Sequence, residues 1–315
     1  DFPGDPVRSE KPSGFIDWLL GCLEHKKNAE SSHLYQAVES GIDACQESGT
    51  TCVADMSNYD GIFDVFEQKK MRAVVFPEIL SLDSDITKNM FESALAIIEK
   101  YAEDESDLIS VGAAPYSPYT LSRNILRIMS QYCYTSEIPC MIHASESFSE
   151  MEFFHDSSGD IATKLFPRIG WNEMPPEHRI TPIEYLLKVG FLISSPLLVG
   201  CTQLTTKDLE LISKSVSKVV ITPRSHENLG QGVVAYRAMV EQNIVTVLGT
   251  DGIPSVQTLS LWDEMRAFVR QHEHTTKLTG AEVLAMVTTN AAIALGIDGD
   301  VGSIEKGKKA DLVLA

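Results

Sequence analysis

No run among the 315 residues reaches the roughly 18 to 20 consecutive apolar positions that a membrane-spanning helix needs, so no membrane segment is expected. Positive charge is scarce. Against 44 Asp and Glu stand only 26 Lys and Arg, a formal net charge of −18, which opposes the basic surface that tracks phosphates along nucleic acid. Nucleic acid is therefore excluded as an expected partner. There is no CxxC pair. The six cysteines, Cys22, Cys45, Cys52, Cys133, Cys140 and Cys201, stand singly and several lie in apolar stretches, a pattern of buried thiols in a reducing compartment. A cytoplasmic protein is the expectation. Neither GxGxxG nor GxxxxGKS/T occurs, so the glycine-rich loops that cradle dinucleotides and nucleoside triphosphates are missing.

What is present is an alternation of short β-branched apolar runs with longer amphipathic stretches, the pattern of repeated β/α units. The runs are 50–55, 73–80, 108–113, 139–143, 197–201, 218–222 and 244–250, seven predicted strands. Between them apolar residues recur at three- and four-residue spacing, as in Phe91, Ala94, Ile97 and Ile98, or Val233, Tyr236, Met239 and Val240. The strands are apolar almost throughout, which requires cover on both faces of a parallel sheet. This predicts an α/β fold, a (β/α)8 TIM barrel, with an eighth strand missing at a start that looks cut.

The final ADLVLA reads as a strand that simply stops, leaving an unpaired edge. The expected organisation is thus a barrel over 1–300, truncated at both ends, and the first strand of a small β domain over 301–315. The stretch 147–181 is long for a βα loop and is a candidate rim excursion or lid over the pocket. An alanine-rich helix over 279–295 is expected to be buried beside the small domain, and Trp262 and Met265 are expected in the core. His25, His33, His155, His178, His272 and His274 have no partner at ligand spacing and are read as surface residues.

Residues able to do chemistry follow the strands: Asp55, His143 with Glu146, Arg224 and Asp251. In a (β/α)8 barrel those positions form the C-terminal rim, where active sites are built. An imidazole at a strand end can bind a divalent metal, and a carboxylate three residues on can act as general base and acid toward water. A rim histidine hydrogen-bonded to a neighbour fits His143-Ala144-Ser145-Glu146 equally well. Asp251, ending LGTDG, can complete a metal site or take a proton from water; it can also be a helix N-cap ahead of Pro254.

From about Gly14 onward the pieces jointly resemble a family. They are GFIDWL at 14–19, Pro118-Tyr119-Thr120, His143 with Glu146, LTTKDLEL at 204–211, Thr222-Pro223-Arg224-Ser225, Gly249-Thr250-Asp251 with LSLWDEMR at 259–266, and GSIEKG at 302–307. In order and spacing these are similar to the metal-dependent amidohydrolases of the chlorohydrolase and aminohydrolase branch. That branch holds the S-adenosylhomocysteine, guanine and aminofutalosine deaminases and the s-triazine hydrolases. The resemblance implies hydrolysis of a non-peptide carbon–nitrogen bond in a small cyclic or heteroaromatic substrate. It implies one divalent metal, zinc or iron, with His143 and Asp251 as ligands from the fifth and eighth strands and an HxH pair from a first strand outside this sequence. Glu146 and Asp251 would be the catalytic carboxylates, and Tyr116, Arg224 and His226 would face the substrate. A homodimer is the assembly to look for.

The chain also departs from that pattern. Gly200 stands where the family's sixth strand usually ends in a histidine, and Tyr116 replaces a substrate-facing histidine before Pro118. Cys201 and Gln203 lie close by in sequence but cannot replace an imidazole that changes protonation state. His226 can reach toward the gap, or can be a solvated loop residue. The second reading, from a different class, is a barrel without catalysis that serves as a binding or partner subunit.

Overall fold

The computed structural model describes residues 14–57, 59–80, 84–102, 106–168, 175 and 177–314. Eight strand segments run through them: β1 (Cys52–Ser57), β2 (Arg72–Ile79), β3 (Ile109–Val111), β4 (Ala114–Pro115), β5 (Met141–Ala144), β6 (Leu197–Gly200), β7 (Lys218–Ile221) and β8 (Thr246–Leu248). Every pairing is parallel. One ladder runs β1-β2-β3, with β4 also on β2, and the other runs β5-β6-β7-β8. A bridge between Ala113 and Cys140 joins the two, and the His143 amide donates to the Tyr116 carbonyl at 2.9 Å. The sheet therefore continues from β1 to β8 in sequence order.

The strand predicted at 108–113 is observed as β3, and after a break at residues 112–113 the short β4 follows beyond the predicted end. At Gly112 a Cβ would stand 2.3 Å from the Phe76 ring and 2.8 Å from the Pro139 carbonyl. Only a residue without a side chain lets the strand pass there.

Alternation along the strands separates two cores. Val74, Phe76, Ala114, Met141, Leu197, Val199 and Val247 cluster together, with Met56 and Val220 packed against them. These residues come from β1, β2 and β4 through β8, and Ala294 of the helix Thr289–Leu295 joins them, so one apolar cluster runs across the sheet. The opposite faces, including Ala73, Val75, Ile142, Leu198, Val219 and Leu248, join the larger core beneath the helices. This is the barrel arrangement of the TIM type, with seven of its strand positions occupied by the described residues.

Several expectations need correction. The described part of the stretch 147–181 up to residue 168 is regular: it forms a helix (Phe148–Asp156) and a π-helical turn (Ile161–Leu165) whose Phe153, Phe154, Ile161 and Leu165 are buried. Residues 169–174 lie outside the described residues. The single helix predicted over 279–295 is two, Gly280–Ala285 and Thr289–Leu295, with Leu284 and Ile293 exposed. Trp262 is exposed, whereas Met265 packs against the core. His272 is buried, not a surface residue, its ring nitrogens 2.9 Å from the Phe268 carbonyl and 3.2 Å from that of Val234. No strand forms over 301–314. Asp311 is tied through its side chain to Arg72, the first residue of β2, at 2.6 Å. No helix among the described residues is long and apolar enough to cross a membrane.

Candidate active site at the rim of the barrel

β5 ends in the residues that matter most. Met141 faces the barrel interior, so two residues on His143 does too. The chain then turns sharply: Ser145 has a φ of 51°, and Ser147 caps the helix Phe148–Asp156, accepting from the Glu150 amide at 3.3 Å. Glu146 is thereby held in the bend between strand and helix. Its amide donates to Glu150 Oε2 at 2.9 Å and its carbonyl accepts from Thr202 Oγ1 at 2.9 Å. The loop after β6 completes the clamp, with Cys201 N donating to the Ala144 carbonyl and Gln203 N to that of Ser145.

The result is a buried acid–base pair. His143 Nδ1 stands 3.2 Å from Glu146 Oε2, off the line of a normal hydrogen bond, and the Tyr116 ring lies 5.0 Å away, tilted over the imidazole. Burial alone would favour a neutral imidazole, but the carboxylates of Glu146, Asp251 and Glu78 outweigh it and raise the His143 pKa to about 9. Glu146 is the converse. Burial pushes its pKa up, yet His143, then His226 and the Gln231 amide, hold it below its ordinary value. For Glu150 burial wins: it lifts the pKa to about 8 against the amides of Glu146 and Ser145 and the charge of His143, and the Glu146 carboxylate adds to the rise.

Gly200 explains how Glu146 fits. It has a φ of 98°, and a Cβ there would stand 2.8 Å from both Cβ and Cγ of Glu146. The glycine that replaces the expected histidine thus makes room for the Glu146 side chain, and its backbone is one that L-residues avoid.

The remaining candidates divide. Asp251, in the loop after β8, adopts a φ of 59° and accepts from Ser225 Oγ at 2.6 Å and Ser255 Oγ at 2.9 Å through Oδ2. Its charge acts on both His143 and His226. His226 is no loop residue: it lies in the helix Pro223–Leu229, 1% exposed, with Nε2 lacking any partner. Burial keeps it below the ordinary imidazole range. Arg224 is held in a structural ion pair, the alternative to a substrate contact. Its guanidinium is consumed by Glu264 at 2.6 Å and by the hydroxyl and carbonyl of Thr258 at 2.7 and 2.6 Å.

Buried polar atoms without partners are sparse in folded proteins and concentrate where ligands bind. Here they are His143 Nδ1, Ser145 Oγ, Glu150 Oε1, Ser157 Oγ, Thr222 Oγ1, His226 Nε2 and both amide atoms of Gln231. Among the described residues all of these but Ser157 lie at the end of β5 or in the segments that follow β5 and β7. Asp55, expected just after its strand, lies within β1; burial raises it to about 6, against the pull of Lys26, which is paired with Glu78 at 3.3 Å.

The Amidohydrolase family pattern matches residues 2–315. The chain belongs to the amidohydrolase family. A 5-methylthioadenosine/S-adenosylhomocysteine deaminase from Clostridium tetani is 28% identical over 305 residues, 94% of this chain and 65% of its own length. Among solved structures, an adenosine deaminase from Xanthomonas campestris with bound zinc aligns with a TM-score of 0.81 at 23% identity, over 96% of this chain and 66% of that one. An aminofutalosine deaminase from Helicobacter pylori, in complex with methylthio-coformycin, gives 0.80 at 22% identity over 97% and 74%. These structures show the shared barrel fold, and this amidohydrolase spans somewhat under two thirds of the length of several relatives.

A metal-dependent site needs at least three protein ligands. No group of three or more His, Cys, Asp or Glu that could hold an ion stands among the described residues of the amidohydrolase. His143 and Asp251 do not make a metal centre by themselves.

Two functional candidates escaped the sequence reading, Glu150 and Gln231. Glu150 stands four residues beyond Glu146, one helical turn on. Gln231, between Gly230 and Gly232, gave no signal at all.

Proposed function

We propose that the protein is a hydrolase that removes the amino group from a small nitrogen heteroaromatic, with Glu146 as its proton carrier. The observation that carries this reading is the buried Glu146 carboxylate, 3.2 Å from His143 Nδ1, at the mouth of an amidohydrolase barrel. The deaminase relatives supply the substrate class. In the reaction, water adds its oxygen to the amine-bearing ring carbon, its proton passes to Glu146, and Glu146 delivers that proton to the departing nitrogen, which leaves as ammonia. His143 steadies the carboxylate's charge, the Tyr116 ring walls the pocket, and Asp251 is a second carboxylate within electrostatic reach. A divalent metal belongs to the proposal only as one to which His143 and Asp251 contribute two ligands, the others coming from outside the described residues.

The test is ammonia release by the full-length protein from adenosine, 5′-deoxyadenosine and S-adenosylhomocysteine, together with its metal content. We expect turnover with about one equivalent of zinc or iron, and a loss of about 10²- to 10⁴-fold in Glu146→Gln. No ammonia from any of the three would overturn the reading. Turnover unchanged in Glu146→Gln would remove Glu146 from it.

The second reading, a barrel that binds without catalysing, is favoured by Gly200, which leaves β6 with no side chain at its end. It requires nucleoside binding without ammonia release.

A further inference from the structure

Three helices among the described residues open with a reciprocal capping box, in which the N-cap hydroxyl accepts the amide of the third helical residue and that residue's carboxylate accepts the amide of the N-cap. Their N-caps are Thr181, Thr205 and Thr279, whose amides donate to Glu184, Asp208 and Glu282 at 2.9, 2.8 and 2.8 Å. The helix Phe148–Asp156 carries the same sequence signal, Ser147 with Glu150 three residues on, and Ser147 Oγ accepts from the Glu150 amide as the motif requires. Its return bond is displaced by one residue. Glu150 Oε2 accepts from the amide of Glu146 at 2.9 Å, where the other three carboxylates take the N-cap amide, and the Ser145 amide faces the same carboxyl.

That displacement puts the tether on the bend that aims Glu146. The loop after β6 grips the bend from one side, with Cys201 N, Gln203 N and Thr202 Oγ1 donating to the carbonyls of Ala144, Ser145 and Glu146. Glu150 grips it from the other. Between the two, Ser145 is kept at a φ of 51°, which a residue with a side chain holds only where its surroundings enforce it, and the Glu146 carboxylate arrives 3.2 Å from His143 Nδ1. Glu150 is 1% exposed, so water does not compete for the amide it holds.

We infer that Glu150 is a positioning residue: it fixes the backbone at Glu146, and through it the direction from which the Glu146 carboxylate meets the substrate, without touching the substrate itself. This rests on the proposed deamination, which makes Glu146 the proton carrier. Proton transfer tolerates little misplacement, and an error of about 1 Å costs on the order of 100-fold in rate.

The Thr205 box supplies the variant that tests it. There an aspartate in the third position reaches the N-cap amide, so Glu150→Asp, one methylene shorter, should close an ordinary box on Ser147, keep the helix start and release the Glu146 amide. Ammonia release from the best of the three nucleosides and thermal melting are measured on the full-length protein. We expect Glu150→Asp to melt within a few degrees of wild type, with kcat about 10- to 100-fold lower and KM within about threefold. Glu150→Gln, which keeps the reach and an acceptor oxygen, should restore kcat to within about fivefold of wild type. In the Glu146→Gln background, Glu150→Asp should lower the residual rate by less than about threefold, because the bend then aims no proton carrier. A folded Glu150→Asp with wild-type kcat, or losses that multiply in the double variant, overturns the inference and leaves deamination standing. Loss of cooperative melting in Glu150→Asp also overturns it, since Glu150 then serves the fold and not the bend. No ammonia from the wild type overturns both.

Discussion

Glu150 has one carboxylate oxygen holding the Glu146 amide and the other without a partner, and burial lifts its pKa from 4.5 to about 8. Between those two pH values the folded chain keeps a proton that the unfolded chain has released, so raising the pH draws the equilibrium toward unfolding. Stability should therefore decline from about pH 4.5 to about pH 8, and Glu150→Gln should flatten that part of the profile. Urea midpoints of both proteins at pH 5 and pH 8 measure it; equal slopes would show that Glu150 is ionised in the fold. The site was half legible in the sequence at this scale. His143 and Glu146 announced themselves because they follow an apolar strand at a spacing that chemistry uses. Glu150 and Gln231 did not, because nothing in a glutamate near a helix start or a glutamine between glycines reveals that its polar atoms are buried. His226 was read only ambiguously, since the Pro-started helix that buries it is short and set by tertiary packing.

Between elements, Arg224 and Glu264 lock the helix Pro223–Leu229 onto the helix Leu261–His272. Glu264 is fully buried, and burial raises its pKa to about 7 against the pull of Arg224. Removing the guanidinium leaves a buried acid without its partner, a loss of about 3–5 kcal/mol. Arg224→Met should accordingly unfold at lower denaturant concentration while its KM stays near wild type. A raised KM at unchanged stability would instead return Arg224 to the substrate. The strands were the most legible elements, because runs such as 197–201 and 218–222 are apolar on both faces. Their breaks were not. The interruption at Gly112 comes from Phe76, distant in sequence, and the split after Ala285 in the predicted helix leaves no mark in an alanine-rich stretch.

For the molecule as a whole, the barrel could be inferred from strand count and residue type, and one apolar interior cluster reaches from Met56 of β1 to Val247 of β8. The concentration of buried, partnerless polar atoms at one end of that interior has a practical meaning. A fold that tolerates such unmet demand is held below the stability it could reach, and the compound that meets the demand will announce itself as heat resistance. At a concentration a hundred times its dissociation constant it adds about 2.7 kcal/mol. Scanning amino-substituted heterocycles for the one that most delays melting of the Glu146→Gln protein, which keeps the cavity but not the proton carrier, is thus a search for the natural substrate that needs no prior guess at the reaction.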